Sequence, residues 1–151
     1  KDFGLAYAKS QISSGNSLPT KGLAFISLKD KHKNEGVDLA KKLVKLNFTL
    51  CGTDGTANAI RKNGIKCKKI NKVSGGSPHI IDILNAKKIA LVINTGGGKR
   101  AYRILDSTSL RRATLINKVP YCTNMSTAYA CIEGIKSLKS KKMSVKAIQE
   151  L

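Results

Sequence analysis

Short apolar runs rich in β-branched residues alternate with amphipathic stretches along this chain of 151 residues. The apolar runs predict strands at 22–27, 48–51, 66–70, 89–94 and 119–122. The stretches with helical spacing predict helices at 2–13, 35–46, 56–63, 78–85, 109–117 and 125–139. Strands separated by single helices are typical of right-handed βαβ units, so the sequence predicts a parallel sheet.

The strand-like runs are apolar almost throughout, as in sheets that are covered by helices on both faces. We therefore expect a three-layer, Rossmann-like α/β domain with a parallel sheet of about five strands. Four local expectations complete this picture. They are a polar loop at 29–34, a left-handed Asn47 after the second helix, Pro78 as the first residue of its helix, and an irregular stretch before residue 109. A last helical turn or two is expected at 144–151.

The formal net charge of +19 is large for a chain of this length. One interpretation is a nucleic-acid-binding domain. The other is a lysine-decorated surface, because the few aromatic residues are not interleaved with the basic runs and so provide no stacking platform for bases. The sequence favours the second interpretation, with nucleic-acid binding kept as an alternative. No run reaches the roughly 18 apolar residues that a membrane span requires, so no membrane association is expected.

The four cysteines form no CxxC pair and lack the close spacing of zinc ligands. Most of them fall in apolar strand-like segments. We expect reduced, buried thiols in a cytoplasmic protein, and no metal site. These cysteines are Cys51, Cys67, Cys122 and Cys131.

Polar residues follow the predicted strands at their carboxyl ends, where open parallel sheets bind ligands. The turn at 53–56 enters a helix, so its backbone N–H groups and the hydroxyls of Thr53 and Thr56 suit an oxyanion, and Gly55 lets a ligand approach the backbone closely. Lys33 and Lys72 would add cationic donors from neighbouring loops. The sequence thus predicts a site for a phosphorylated small molecule.

Asn94 and Thr95 follow the fourth strand and suit sugar hydroxyls or a base edge, with Lys99 a few residues on. The alternatives are that the two threonines of the turn only cap a helix, and that the lysines are ordinary surface residues. Neither the phosphate-binding GxxxxGK[ST] motif nor GxGxxG is present.

A catalytic constellation is not evident in the sequence. One histidine, His79, begins the fourth helix with Asp82 three residues on, but no Ser–His–Asp set, Cys–His pair or carboxylate pair stands out. The sequence therefore favours a binding module over a catalyst.

Six short motifs in this order resemble the methylglyoxal-synthase-like fold, and more closely the C-terminal allosteric domain of the carbamoyl phosphate synthetase large subunit. The motifs are LCGTDGTA at 50–57, NKV at 71–73, PHI at 78–80, VINT at 92–95, LRR at 110–112 and YCTN at 121–124. The resemblance covers nearly the whole chain. It implies a domain at 21–151, preceded at 1–20 by a leading helix and connector from a neighbouring synthetase domain.

The resemblance also implies a role. Domains of this family perform no chemistry and bind UMP as an inhibitor or IMP as an activator. The implied phosphate contacts are Lys33, Thr53, Gly55, Thr56 and Lys72, the implied nucleoside contacts are Asn94, Thr95 and Lys99, and Thr123 matches a position near an ornithine site.

The parent enzyme implied by the resemblance makes carbamoyl phosphate, for pyrimidine and arginine biosynthesis, from bicarbonate, ATP and ammonia. It uses Mg²⁺ or Mn²⁺, receives ammonia from a glutaminase small subunit and forms oligomers. No cofactor is expected in this segment itself. The choice of effector stays open, because Gly96 stands where the family usually has a second threonine.

Methylglyoxal synthase, which acts on dihydroxyacetone phosphate, is the enzymatic alternative. Its Gly-Asp-Gln run is not found in the loop at 74–78, which reads SGGSP. A shared fold alone does not assign its activity, so the residues at the site decide between the two.

Overall fold

The computed structural model describes residues 2–71, 76–96 and 101–141, with side chains described throughout these ranges except at 101–106. Within them, helices and strands alternate as the sequence predicts. The elements are α1 (Phe3–Ser13), β1 (Gly22–Ser27), a 3₁₀ helix (Asp30–His32), α2 (Lys33–Lys45), β2 (Phe48–Gly52), α3 (Asp54–Lys62), β3 (Lys68–Lys69), α4 (Ile80–Asn85), β4 (Leu91–Asn94), α5 (Ala101–Ile116), β5 (Tyr121–Cys122) and α6 (Met125–Ser140).

The strands form one five-stranded sheet in the order β3-β2-β1-β4-β5, and every neighbouring pair is parallel. Helices cover both faces, so the predicted three-layer α/β fold is confirmed. Along β1 the side chains alternate: Ala24 and Ile26 pack with α2, α3 and α6, whereas Phe25 packs with α4 and α5. All three of these side chains are buried, because β1 lies at the centre of the sheet.

Helix α1 packs along α6 through close contacts at two glycines. A Cβ added at Gly4 would lie 2.4 Å from the Glu133 carbonyl oxygen, and one added at Gly134 would lie 3.2 Å from Tyr7 Cδ1 and 3.4 Å from the Gly4 carbonyl oxygen. Asp2 caps α1 by accepting from the Leu5 N–H at 3.0 Å. The segment predicted as a leading helix thus lies against the domain's own last helix.

Two expectations about where helices begin are wrong. The loop predicted at 29–34 is a 3₁₀ turn that runs directly into α2, which begins at Lys33. Helix α4 begins at Ile80, and Pro78 precedes it after a cis bond to Ser77. The start of α4 is set by Asp82, which accepts from the His79 N–H at 2.8 Å.

The stretch before residue 109, expected to be irregular, is the first half of α5, which begins at Ala101. Asp, Ser and Thr disfavour helix interiors as isolated residues, but packing overrides that preference. Leu110 and Ala113 pack into the core, and the Ser107 hydroxyl donates to the Gly96 carbonyl at 3.3 Å. These contacts hold the helix against the end of β4.

The edge strands β3 and β5 have two residues each and are shorter than predicted, because each pairs with a single neighbour. Asn47 has φ +66°, which confirms its predicted left-handed conformation. All four cysteines are free and buried, as expected. None of the described helices has the length and apolar content needed to cross a bilayer. The expected last turn at 144–151 lies outside the described residues.

Candidate functional site

The carboxyl ends of the central strands meet at one edge of the sheet. Ser27 at the end of β1 is in register with Asn94 at the end of β4, and Ile26 is in register with Gly52 at the end of β2. Strand β1 lies between β2 and β4, so the chain continues from β1 to a strand on one side, and β4 is added later on the opposite side. Parallel sheets bind ligands at such a switch in strand order, because the following loops diverge and leave a crevice.

Thr53 lies between β2 and α3 with an extended backbone, and its side chain makes no capping hydrogen bond to the helix. Its hydroxyl lies 3.3 Å from Ser27 Oγ and 3.4 Å from Thr56 Oγ1. Thr53 therefore occupies the N-cap position of α3 without its hydroxyl capping the helix. The first N–H groups of α3 have no partner within the helix, and α3 begins directly after the carboxyl end of β2.

Thr56 is almost fully buried, and its hydroxyl oxygen accepts the Leu28 N–H at 3.0 Å. This bond joins the first turn of α3 to the segment after β1. The Thr56 hydroxyl oxygen also lies 3.4 Å from Thr53 Oγ1, so the Thr56 proton can be donated either to Thr53 or to a ligand.

The Lys33 ammonium group lies over Gly55. A Cβ added at Gly55 would lie 3.1 Å from Lys33 Nζ and 3.7 Å from Cε, so the missing side chain makes room for the lysine. Lys33 Nζ also pairs with the exposed Asp30 carboxylate at 2.5 Å. The structure thus brings a cation to the amino end of α3, where the helix dipole also favours an anion.

Asp54 is the carboxylate nearest in sequence to this turn, and it pairs with Lys69 of β3 at 3.0 Å. The Lys69 hydrogen bond is the main cause that holds the pKa of Asp54 below its ordinary value. Its negative charge is therefore compensated by a neighbouring strand, which limits its repulsion of an anion in the crevice.

Asn94 and Thr95 are both buried at the end of β4. The Thr95 hydroxyl oxygen accepts the Lys29 N–H at 3.2 Å and lies 3.1 Å from His32 Nδ1. Asn94 Nδ2 donates to the Tyr121 hydroxyl at 3.1 Å. These contacts make a polar floor that continues from β4 to β5.

Gly96 follows this floor and fits closely against it. Its N–H donates to Asn94 Oδ1 at 3.0 Å. A Cβ at this position would lie 2.9 Å from Asn94 Oδ1 and 3.7 Å from Ser27 Oγ. A residue with a Cβ at this position would require Asn94 to take another position.

The structure therefore brings together Lys33, Thr53, Gly55 and Thr56, with Asn94 and Thr95 at the end of β4, the second strand from β2. Thr123 is exposed beyond β5. It follows β5, which is the third strand from β2 and lies about 14 Å from β2 at the usual spacing of strands. Thr123 is therefore not part of the phosphate turn. Two further predicted residues, Lys72 and Lys99, lie outside the described residues.

Three residues at this edge were not assigned to the site from sequence: Ser27, His32 and Tyr121. Ser27 could have been found as the polar residue that ends a buried apolar strand. His32 lies in the segment predicted as a loop at 29–34, but no sequence spacing links it to Thr95. Tyr121 gives no sequence signal, since its role depends on the register of β4 and β5.

His79 and Asp82 form a local capping arrangement. His79 Nδ1 lies 3.5 Å from Asp82 Oδ2, which already accepts from the His79 N–H and from the Ser77 hydroxyl. These two hydrogen bonds hold the pKa of Asp82 below its ordinary value. At the edge of the sheet, the Thr95 hydroxyl beside His32 already accepts the Lys29 N–H. Within the described ranges, no group of three or more possible metal ligands occurs.

The fold and the polar edge at the strand ends define a class of protein, and comparison with known families identifies it. The chain belongs to the family of MGS-like domains, whose model matches residues 35–123.

Its relatives include a carbamoyl phosphate synthase large chain from Mesorhizobium japonicum, which is 43% identical over 99% of this chain. Two relatives are each named carbamoyl phosphate synthase large chain, C-terminal section. The one from Methanopyrus kandleri is 41% identical and the one from Aquifex aeolicus is 42% identical, both over 100% of this chain. The chain spans 13% of the Mesorhizobium relative and 28% and 29% of the other two. The chain thus resembles the C-terminal section of this large chain, as the sequence motifs indicated.

A solved structure with the same fold is methylglyoxal synthase from Elizabethkingia anophelis. It superposes with a TM-score of 0.56 over 76% of this chain and 79% of that one, at 18% identity. At this identity the likeness shows the fold alone.

Proposed function

We propose that this chain is the regulatory nucleotide-binding domain of a glutamine-dependent carbamoyl phosphate synthase large chain, with UMP or IMP as its effector. The observation that carries the proposal is the convergence of Lys33 on Gly55 at the amino end of α3, beside the hydroxyls of Thr53 and Thr56. Such a group of donors suits the phosphate of a mononucleotide.

The polar floor at Asn94 and Thr95 suits the rest of the effector. It continues from the phosphate turn through Ser27, which contacts Thr53 and is in register with Asn94. A hydrogen bond to a charged group contributes about 1.5–3 kcal/mol net. Four or five such contacts give about 6–15 kcal/mol before the cost of association, so the roughly 8 kcal/mol of micromolar binding requires contacts near the upper end of this range.

The parent enzyme is part of this proposal. Relatives named carbamoyl phosphate synthase large chain extend well beyond the matched region. We propose that ATP, Mg²⁺ or Mn²⁺ and the glutaminase small subunit bind elsewhere on such a chain, and that the product feeds pyrimidine and arginine synthesis in the cytoplasm. Effector binding would then act on catalysis through the preceding synthetase domains, with a coupling of about 1–3 kcal/mol.

Calorimetric titration with UMP and with IMP tests the site. Lys33→Gln removes the cation beside Gly55 and should weaken nucleotide binding about 10- to 150-fold, the equivalent of one charge-assisted hydrogen bond. Lys31→Gln is the matched control, because Lys31 is exposed and its loss changes the net charge equally. Its affinity should stay within about twofold of the unsubstituted chain, as for other surface charges.

Two results would contradict the proposal. One is the absence of heat with either nucleotide on a folded sample. The other is an equal loss of affinity in both lysine variants, which would indicate general attraction to a basic surface instead of a site.

A further inference from the structure

The Asn94 side-chain amide is held at both of its ends. Its Nδ2 donates to the Tyr121 hydroxyl at 3.1 Å, and its Oδ1 accepts the Gly96 N–H at 3.0 Å. A rotation of the amide by 180° would place its nitrogen against the Gly96 N–H, which is also a donor. The Gly96 N–H therefore selects the orientation of the amide, and the Tyr121 hydroxyl holds its other end in place.

Fixing the orientation also fixes what Asn94 can offer a ligand. An asparagine side chain has two N–H donors and two acceptor sites on its oxygen. Tyr121 takes one donor and Gly96 takes one acceptor site. One donor and one acceptor remain, and Asn94 is only 7% exposed, so they are available over a small surface.

Tyr121 is itself well held. It stands in register with Val92 of β4, and the Arg111 guanidinium carbon of α5 lies 5.9 Å from its ring centroid. The ring is half-buried between the sheet edge and α5, so the position of its hydroxyl is set by packing as well as by the hydrogen bond. A rigid acceptor of this kind suits a role in orienting a neighbouring side chain.

We propose that Tyr121 is a positioning residue, which orients the Asn94 amide for the nucleoside part of the effector. The inference rests on the proposed function, since it needs a nucleotide in the crevice. Tyr121 acts through Asn94 and does not contribute to the phosphate turn, which is built on β2 and α3. Its loss should therefore affect recognition of the nucleoside and spare recognition of the phosphate.

Tyr121→Phe tests this, because phenylalanine keeps the ring and its contact with Arg111. We expect UMP and IMP to bind about 3- to 10-fold more weakly, the usual effect of one neutral hydrogen bond. The dissociation constant of inorganic phosphate, measured by its competition with either nucleotide, should be unchanged. A merely structural role would weaken both kinds of ligand together.

Tyr129→Phe is the matched control. The Tyr129 hydroxyl also bonds within the protein, to the Glu35 carbonyl oxygen at 3.2 Å and to Asp38 Oδ2 at 3.1 Å, but both partners belong to α2 and neither contacts the Asn94 amide. Its nucleotide affinity should match that of the unsubstituted chain. In an Asn94→Ala background, Tyr121→Phe should have no further effect, since the two side chains act as one unit.

A second variant approaches the same amide from its other end. Gly96→Ala places a Cβ 2.9 Å from Asn94 Oδ1, and it should reproduce the loss of nucleotide affinity with phosphate binding unchanged. If Tyr121→Phe does not fold, unchanged nucleotide affinity in Gly96→Ala overturns the inference by itself.

The outcomes separate the two proposals. Normal nucleotide binding by Tyr121→Phe overturns the inference and leaves the proposed function standing. An equal loss for nucleotide and phosphate also overturns it. Failure of the unsubstituted chain to bind either nucleotide removes the proposed function, and the inference with it.

Discussion

Thr56→Val is the substitution that best separates the structural and binding roles of the phosphate turn. Valine matches threonine in shape but lacks the hydroxyl. In the structure that hydroxyl accepts the buried Leu28 N–H at 3.0 Å, and it can donate its own proton to Thr53 or to a ligand. The substitution therefore leaves one backbone donor without its partner and removes one donor from the crevice.

The expected loss of stability follows from the unpaired Leu28 N–H. A buried donor that loses its acceptor costs about 1–3 kcal/mol. For a domain of this size, each kcal/mol lowers the melting temperature by about 2–4 °C, so the expected decrease is about 2–12 °C. Thr53 is not left unpaired, because Ser27 Oγ lies 3.3 Å from its hydroxyl.

Thermal unfolding followed by circular dichroism measures the stability, and calorimetry with UMP measures the binding. Thr56→Ser keeps the hydroxyl and should retain nucleotide affinity. Thr114→Val is the matched control for stability, because Thr114 is equally buried but its hydroxyl donates at 2.7 Å to a carbonyl of its own helix. A Thr56→Val protein as stable as Thr114→Val, with unchanged UMP affinity, would refute both parts of the reasoning.

Two further predictions concern the junction of α1 and α6. Gly4→Ala places a Cβ 2.4 Å from both the Glu133 carbonyl oxygen and Ser137 Oγ, so it should cost about 1–3 kcal/mol; an unchanged melting temperature would contradict this close packing. Hydrogen bonds to Asp2, from Lys141 first, then from the first turn of α1 and from Ser137, hold the pKa of its carboxyl below its ordinary value. Because the folded-state pKa is depressed, the contribution of Asp2 is present above about pH 4 and is lost as the pH falls through the folded-state value. The difference in melting temperature between Asp2→Asn and the unsubstituted chain should therefore shrink from pH 6 to pH 2, and a constant difference would exclude this origin.

The sequence was most informative where local pattern and burial agree. The apolar run of β1 is typical of a buried central strand, and the observed bounds of the strand, Gly22–Ser27, are those predicted. Asn47 and Gly64 end their helices with positive φ, as residues tolerant of that conformation do. These features are decided within a few residues of chain, so their sequence signals are complete.

Features that depend on distant partners were not predicted. Helix α5 begins at Ala101 because its later turns pack on the sheet and because Ser107 donates to the Gly96 carbonyl. Neither contact can be predicted from the neighbouring residues in the sequence. The Asn94–Tyr121 bond joins residues 27 positions apart, and it requires β5 to pair with β4 in one register. The sequence therefore predicted a kind of ligand, but it did not predict which side chains would orient that ligand.

The close contact of α1 with α6 has a practical consequence for dissecting a longer chain. Ala8 is completely buried, and Gly134 lies against Leu18 and Tyr7 of the first twenty residues. A fragment cut just before the first strand would keep every residue of the sheet, yet it would expose an apolar strip of its last helix to water. Such a shortened fragment should self-associate, and studies of the isolated unit need the amino-terminal helix to stay attached.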